Sequence, residues 1–254
     1  MRRAGTVLAL VAAAVLLAGG PLPSAVHHGG SETARHPDTV PSPTPPPARA
    51  CERYTLIGQT RVSSVAARER PAASSPVVAR FPRVNAQGAV QVFPLFERVR
   101  ASGKLWFRAL LPIRPNSSAG WIAGDDLLLR RSDYRLRIDL SRFRLKVFRL
   151  CEEVVAYPIG VGTKDRPTPR GTFFLNSLLR PPERGTVYGA YAYGLSAYSD
   201  VIRDWSGGGI VGLHGTDAPS SVGRRVSHGC IRMRNEDIRA LVRVLPLGTL
   251  VTIR

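Results

Sequence analysis

Between residues 134 and 147 apolar and charged side chains alternate. Tyr134, Leu136, Ile138 and Leu140 are separated by Arg135, Arg137 and Asp139. After a short break Phe143, Leu145 and Val147 are separated by Arg144 and Lys146. A period of two places all the apolar side chains on one face, whereas a helix would scatter them around its circumference. The pattern predicts two half-buried antiparallel strands. VVAYPIGVG (Val154–Gly162) reads as a third strand closed by glycine, and TPRGTFFL (Thr168–Leu175) as a turn feeding a fourth. GGIVGL (Gly208–Leu213) reads as a buried strand that delivers His214 to its end. The period changes after residue 234. Ile238, Leu241, Val242 and Leu245 fall at helical spacing, with Asn235 as the expected cap and Pro246 as the expected stop. The closing GTLVTIR returns to a strand.

The preceding stretch, 52–131, is built from shorter pieces. Val62, Val65, Val77, Val78 and Phe81 form apolar clusters interrupted by Pro71, Pro76 and Pro82. AVQVFPLF (Ala89–Phe96) and LWFRALLPI (Leu105–Ile113) are rich in β-forming residues, and a Pro-Asn turn leads into a strand bearing Trp121. Short strands with turn signals between them predict a small barrel or sandwich. The order of the tryptophan strand, the turn and the Gly-Trp strand resembles a bacterial SH3-like domain. The expected fold class is therefore mainly β: a small SH3-like barrel over 52–131, then a mixed-β unit over 133–254 with one short helix after the cysteine loop.

The first twenty residues carry Arg2 and Arg3, then an apolar run, then small residues, the layout of an export signal or a retained N-terminal anchor. Residues 21–50 are rich in proline and serine and read as an extended spacer. Both place the remainder outside the cytoplasm. The formal charge of +18, mostly arginine, favours anionic surroundings such as cell-wall polymers. No basic run interleaved with aromatics supports a nucleic-acid module. Of the three cysteines, Cys51 and Cys151 either pair in an oxidising compartment or are both unpaired, and Cys230 stands apart.

Cys230 lies in RVSHGCIRM (Arg225–Met233). Three of the five histidines, His27, His28 and His36, belong to the leader and spacer, whereas His214 and His228 flank the cysteine segment. A thiol nucleophile needs a base, and imidazole is suited to that task. Gly229 between His228 and Cys230 allows close approach to the backbone, nearby amides can stabilise an oxyanion, and Arg232 adds positive charge. Alternatives are a zinc site from His214, His228 and Cys230, which lacks a fourth protein ligand and any Cys-x-x-Cys companion, and an inert buried thiol. The chain order argues against a papain-like layout, because here the histidine precedes the cysteine. Asp204 and Asp217 suit surface solvation or loop capping better than a triad.

HGT at His214–Thr216 followed by SHGCIRM at Ser227–Met233 resembles the catalytic signature of the L,D-transpeptidases of the YkuD type. TPRGTFFL, IGVG (Ile159–Gly162) and the closing PLGTLVTIR extend the resemblance over about 134–254. The resemblance implies Cys230 as nucleophile and His214 as base and acid, oriented by the carbonyl of Gly215. His228 and the amides of Gly229 and Cys230 would line the oxyanion region. Ser227 would hold the loop and Arg232 would meet substrate. It implies no metal or other cofactor, stem peptides of peptidoglycan as substrate, and carbapenems as acylating inhibitors. Water, a neighbouring stem amine or a protein amine are all acceptors such an enzyme could use, and a wall-binding protein with an inert catalytic domain is the rival reading. GTVYGAYAYGLSAYSD (Gly185–Asp200) reads either as a glycine-tyrosine lid with Tyr191 or Tyr193 on the substrate or as aromatics packed near a sheet edge, the lid reading being preferred, with SGGGI (Ser206–Ile210) as its hinge or a simple turn.

Overall fold

The computed structural model describes residues 54–182, 185–203 and 208–254. The expected leader and spacer, Cys51, Asp204 and the first half of the expected hinge lie outside these residues. No helix among the described residues is long and apolar enough to cross a membrane.

Seven strands form the first sheet: β1 (Thr55–Thr60), β2 (Ser64–Arg68), β3 (Val77–Pro82), β4 (Val92–Ala101), β5 (Lys104–Leu110), β6 (Ala119–Ala123) and β7 (Leu127–Ser132). Their order is β3-β2-β6-β5-β4-β1-β7, and every pairing is antiparallel. Val65, Phe81, Phe93, Leu95, Phe107 and Ile122 meet in one apolar cluster, with Phe81 and Phe93 edge to face at 5.0 Å. These are the alternate residues of their strands, as a sheet curled around one core requires.

Ten strands follow: β8 (Tyr134–Asp139), β9 (Arg144–Arg149), β10 (Glu152–Pro158), β11 (Val161–Gly162), β12 (Gly171–Leu179), β13 (Ala192–Tyr198), β14 (Ile210–His214), β15 (Arg225–Ser227), β16 (Ile231–Arg232) and β17 (Leu250–Ile253). Eight form a sheet in the order β10-β9-β8-β17-β12-β13-β14-β16, while β11 and β15 pair separately in parallel. The expected alternation holds: Leu136, Ile138, Leu145 and Val147 are buried, and Arg137 and Arg144 between them are exposed. The sheet is mixed, because β17 returns beside β8, and β16 beside β14, in parallel.

One α-helix, α1 (Asn235–Val242), packs Ile238 and Leu241 into the second core. Asn235 is its first helical residue rather than its cap. The capping position belongs to Arg234, whose guanidinium only donates and so makes no side-chain cap bond, while the Asn235 carboxamide is engaged with Ala190 and Thr216. The helix stops at Val242, ahead of Pro246, where the Val244 and Leu245 amides both bond to the Leu241 carbonyl. The expected lid also resolves differently. Its second half is strand β13, inside the sheet between β12 and β14. Cys151 is disulfide-bonded, and Cys230 is the free cysteine among the described residues. Cys51, the partner considered from sequence, lies outside them.

The two sheets share apolar contacts. Ile57, Val92 and Leu110 of the first bury Phe174 of β12 in one cluster, with Leu247 and Leu250 against it. Gly248 sits in the left-handed region at φ 88°, and a Cβ there would strike the Ile57 side chain. Polar contacts reinforce this. The Asn116 carboxamide pairs with both backbone groups of Tyr198, donating to its carbonyl at 2.8 Å and accepting from its amide at 2.9 Å. Arg114 donates to the carbonyls of Ser199 and Gly208 and lies over the Tyr198 ring. Asn116→Ala leaves two strand-end groups of β13 without partners, so it should cost about 1–2 kcal/mol. Differential scanning calorimetry should show a melting point roughly 2–6 °C lower.

Candidate active site

Strand β14 ends in His214, which is only 3% exposed. Its imidazole Nδ1 lies 2.5 Å from the Gly215 carbonyl. A carbonyl can only accept, so Nδ1 carries the hydrogen and Nε2 is left with its lone pair. A Cβ on Gly215 would collide with the Asn235 Oδ1. Asn235 is engaged at both ends, accepting from the Ala190 amide at 2.9 Å and donating to the Thr216 carbonyl at 2.9 Å. The helix thus fixes the turn after His214 through its first residue. The Met233 amide completes the frame by donating to the His214 carbonyl at 2.8 Å.

Cys230 arrives on the loop between β15 and β16. Ser227 holds that loop from inside, donating to the Cys230 carbonyl at 2.6 Å and accepting from the Gly229 amide at 3.1 Å. Thr168 holds it from outside. Its hydroxyl donates to the Gly229 carbonyl at 2.9 Å and accepts from the Gly162 amide at 2.9 Å. Gly229 has φ 113°, a conformation that strains any side chain. The chain is therefore not extended from His228 to Cys230, and simple alternation does not explain why both line one cavity. His228 is exposed at the rim, while the Cys230 thiol is mostly buried.

Both reactive groups lie beside Gly212. The Gly212 amide donates to Cys230 Sγ at 3.4 Å. A Cβ on Gly212 would stand 3.3 Å from the His214 Cδ2 and 3.6 Å from that sulfur, so glycine there lets the ring and thiol lie close. Burial pushes the His214 pKa down to about 4, against a partial rise from the Gly215 carbonyl. Burial pushes the Cys230 thiol up, opposed by the Gly212 amide and by the Arg232 charge. At neutral pH both groups are uncharged: a thiol beside an imidazole ready to accept a proton, rather than a standing ion pair.

The expected residues divide. Cys230 and His228 line a cavity of about 710 Å³, with Tyr188, Gly212 and Ile210. Arg232 does not line it; strand pairing holds it opposite His214 and against Gly160, and it acts on the pair through its charge. The Gly229 amide is occupied by Ser227, which leaves the Cys230 amide as the loop N–H with no bond from the described residues. The lid tyrosines are corrected. Tyr193 is fully buried, its hydroxyl donating to the Leu245 carbonyl at 3.0 Å, so it is part of the cavity floor. Tyr191 packs against the core and gives its carbonyl to the Gly215 amide. The tyrosine at the site is Tyr188, whose ring stands edge to face with His214 at 5.2 Å. Asp217 is exposed and only raises the His214 pKa slightly against burial. Among the described residues no group of three or more His, Cys, Asp or Glu side chains is placed to hold a metal ion.

Sequence reasoning missed Thr168, Asn235 and Tyr188 as site residues. Thr168 stood in a segment already singled out, but a hydroxyl bonded to a loop 61 positions away leaves no local mark.

Residues 133–253 match the YkuD family model, the L,D-transpeptidase catalytic domain. A Bacillus licheniformis protein named L,D-transpeptidase YkuD is 35% identical over 164 residues, 62% of this chain and 92% of its own length. Its Bacillus subtilis namesake is 32% identical, covering 61% and 90%. Among solved structures, L,D-transpeptidase 3 of Mycobacterium tuberculosis with a faropenem-derived adduct is 14% identical, with a TM-score of 0.39 over 59% of this chain and 91% of that one.

Thr168→Val removes the oxygen that joins Gly162 to Gly229 while keeping the shape. It should cost about 1–3 kcal/mol, since two buried backbone groups lose a partner. Alkylation of Cys230 by iodoacetamide, followed by intact mass, should change in rate as the loop loosens, whereas a surface threonine substitution should leave it unchanged.

Proposed function

This chain belongs to the L,D-transpeptidase family, and on that premise we propose that it works outside the cytoplasm as a cysteine acyltransferase that forms 3→3 cross-links in peptidoglycan. The observation that carries this reading is that a half-buried thiol and an imidazole whose Nδ1 is held by a carbonyl lie on either side of Gly212. The His214 Nε2 takes the thiol proton as Sγ attacks the carbonyl of the third, L-centred stem residue. The oxyanion that forms is met by the Cys230 amide, with His228 at the rim. The intermediate collapses by breaking the C–N bond to the terminal D-alanine, whose amine takes the proton from His214. A thioester remains on Cys230. An amine of a neighbouring stem then attacks it, gives its proton to His214, and leaves as an amide while the thiol is restored.

The remaining assignments belong to the same proposal. The N-terminal twenty residues export or anchor the protein, the arginine surplus suits an anionic wall, and the first sheet is an SH3-like unit. A carbapenem, whose strained lactam carbonyl is open to the same attack, should acylate Cys230. Intact-mass measurement should show one adduct on the wild type and none on Cys230→Ala. An adduct on both would place the nucleophile elsewhere.

The pH dependence follows from the His214 value of about 4. Protonation below that pH removes the base, so kcat/KM for a stem tetrapeptide should fall on its acid side near pH 4 and not near the ordinary histidine value of 6.5. A limb near 6.5 would mean that His214 is solvated in the working enzyme.

A further inference from the structure

The cavity that holds Cys230 is not walled by the catalytic sheet alone. Ala86 and Gln87, from the turn between β3 and β4 of the first sheet, line it as well. That turn is rigidly made. The Asn85 Oδ1 accepts from the Gln87 amide at 3.1 Å and the Ala89 amide at 3.0 Å, and Gly88 takes a left-handed φ of 78°. It is also fastened across to β12 at two points. The Asn85 Nδ2 donates to the Asn176 carbonyl at 3.1 Å, and the buried Gln91 Nε2 donates to the Asn176 Oδ1 at 3.3 Å. Between these fastenings the Gln87 side chain is half exposed, and its carboxamide makes no hydrogen bond with any described residue.

A second observation points the same way. Ser177, beside Asn176 on β12, also lines the cavity, and its buried hydroxyl has no hydrogen-bond partner among the described residues. Across the sheet Ser177 pairs with Gly194, and Gly194 with Gly212, which donates to the Cys230 sulfur. Two strand spacings put Ser177 about 10 Å from Gly212, the reach of roughly three extended residues. The two glycines carry no side chain into that stretch: the Ser177 hydroxyl takes the space beside Gly194, and the His214 ring and the Cys230 sulfur take the space beside Gly212.

We propose that Gln87, supplied by the first sheet, is a specificity-determining residue whose carboxamide hydrogen-bonds a peptide group of the acyl-donor peptide away from the attacked carbonyl. This rests on the transferase reading above. A carboxamide both donates and accepts, which suits the N–H and C=O of a peptide backbone. A ligand that reaches only the thiol does not touch it.

The test uses the full chain, wild type and Gln87→Ala, with a synthetic stem tetrapeptide ending in D-alanine and with a carbapenem. Removal of one neutral hydrogen bond should raise KM for the tetrapeptide roughly three- to tenfold with kcat little changed. The rate of carbapenem acylation should stay that of the wild type, which a general disturbance of the site would not allow. An unchanged KM overturns the inference, as does a carbapenem rate that falls in step with peptide turnover. If the wild type takes neither the carbapenem nor the peptide, the transferase reading fails and this one with it. If the wild type handles both and the variant is indistinguishable, the assignment of Gln87 alone is wrong.

Discussion

The hydrogen bond from His214 to the Gly215 carbonyl is the contact on which the rest of the site depends. A carboxylate in that place would hold the ring by charge and favour its protonation. A carbonyl carries no full charge and raises the ring's pKa only in part, so burial decides the charge and the ring stays neutral. That choice demands precision from the turn after the strand. The precision comes from a carboxamide on the helix, a main-chain bond from Met233, and glycines whose missing side chains make room for both. The thiol is placed by the same logic. Ser227 and Thr168 are uncharged, and they fix the loop through its peptide groups. In the absence of a strong local charge pair, orientation is spread over many weak bonds.

The fold delivers these parts because its sheet is mixed. The parallel return of β16 beside β14 sets Arg232 opposite His214 across a connection of some length. The parallel pair β11 and β15 does the same for the other end of the cysteine loop, bringing the glycines of IGVG against it. A Cβ on Gly160 would strike the Ser221 carbonyl, and one on Gly162 the backbone near Thr168. These glycines serve close packing of main chain on main chain.

Much of this was legible in the chain. The alternation over 134–147 became β8 and β9, the histidine strand became β14, and the apolar spacing near the C-terminus became α1. Cys230 and His214 were marked by how few such residues the folded part contains. The tyrosines were misread for a physical reason. In AYAYGLSAY both the even and odd positions are apolar or small, so a central strand buried on both faces looks like a loose loop. Asn235 was misjudged because a polar residue at a helix start is usually its cap, and only the third dimension shows the two main-chain groups that engage it instead. Thr168 and Tyr188 were silent because their partners are distant in sequence.

Phe174 offers a last consequence. It belongs to the catalytic sheet, yet the neighbours that bury it are Ile57, Val92 and Leu110 of the first. A catalytic half expressed alone would present that ring, with Leu247 and Leu250, to water as a sticky patch. The two halves are therefore not interchangeable beads on a string. Joining either to another partner would require a matching apolar socket for that ring.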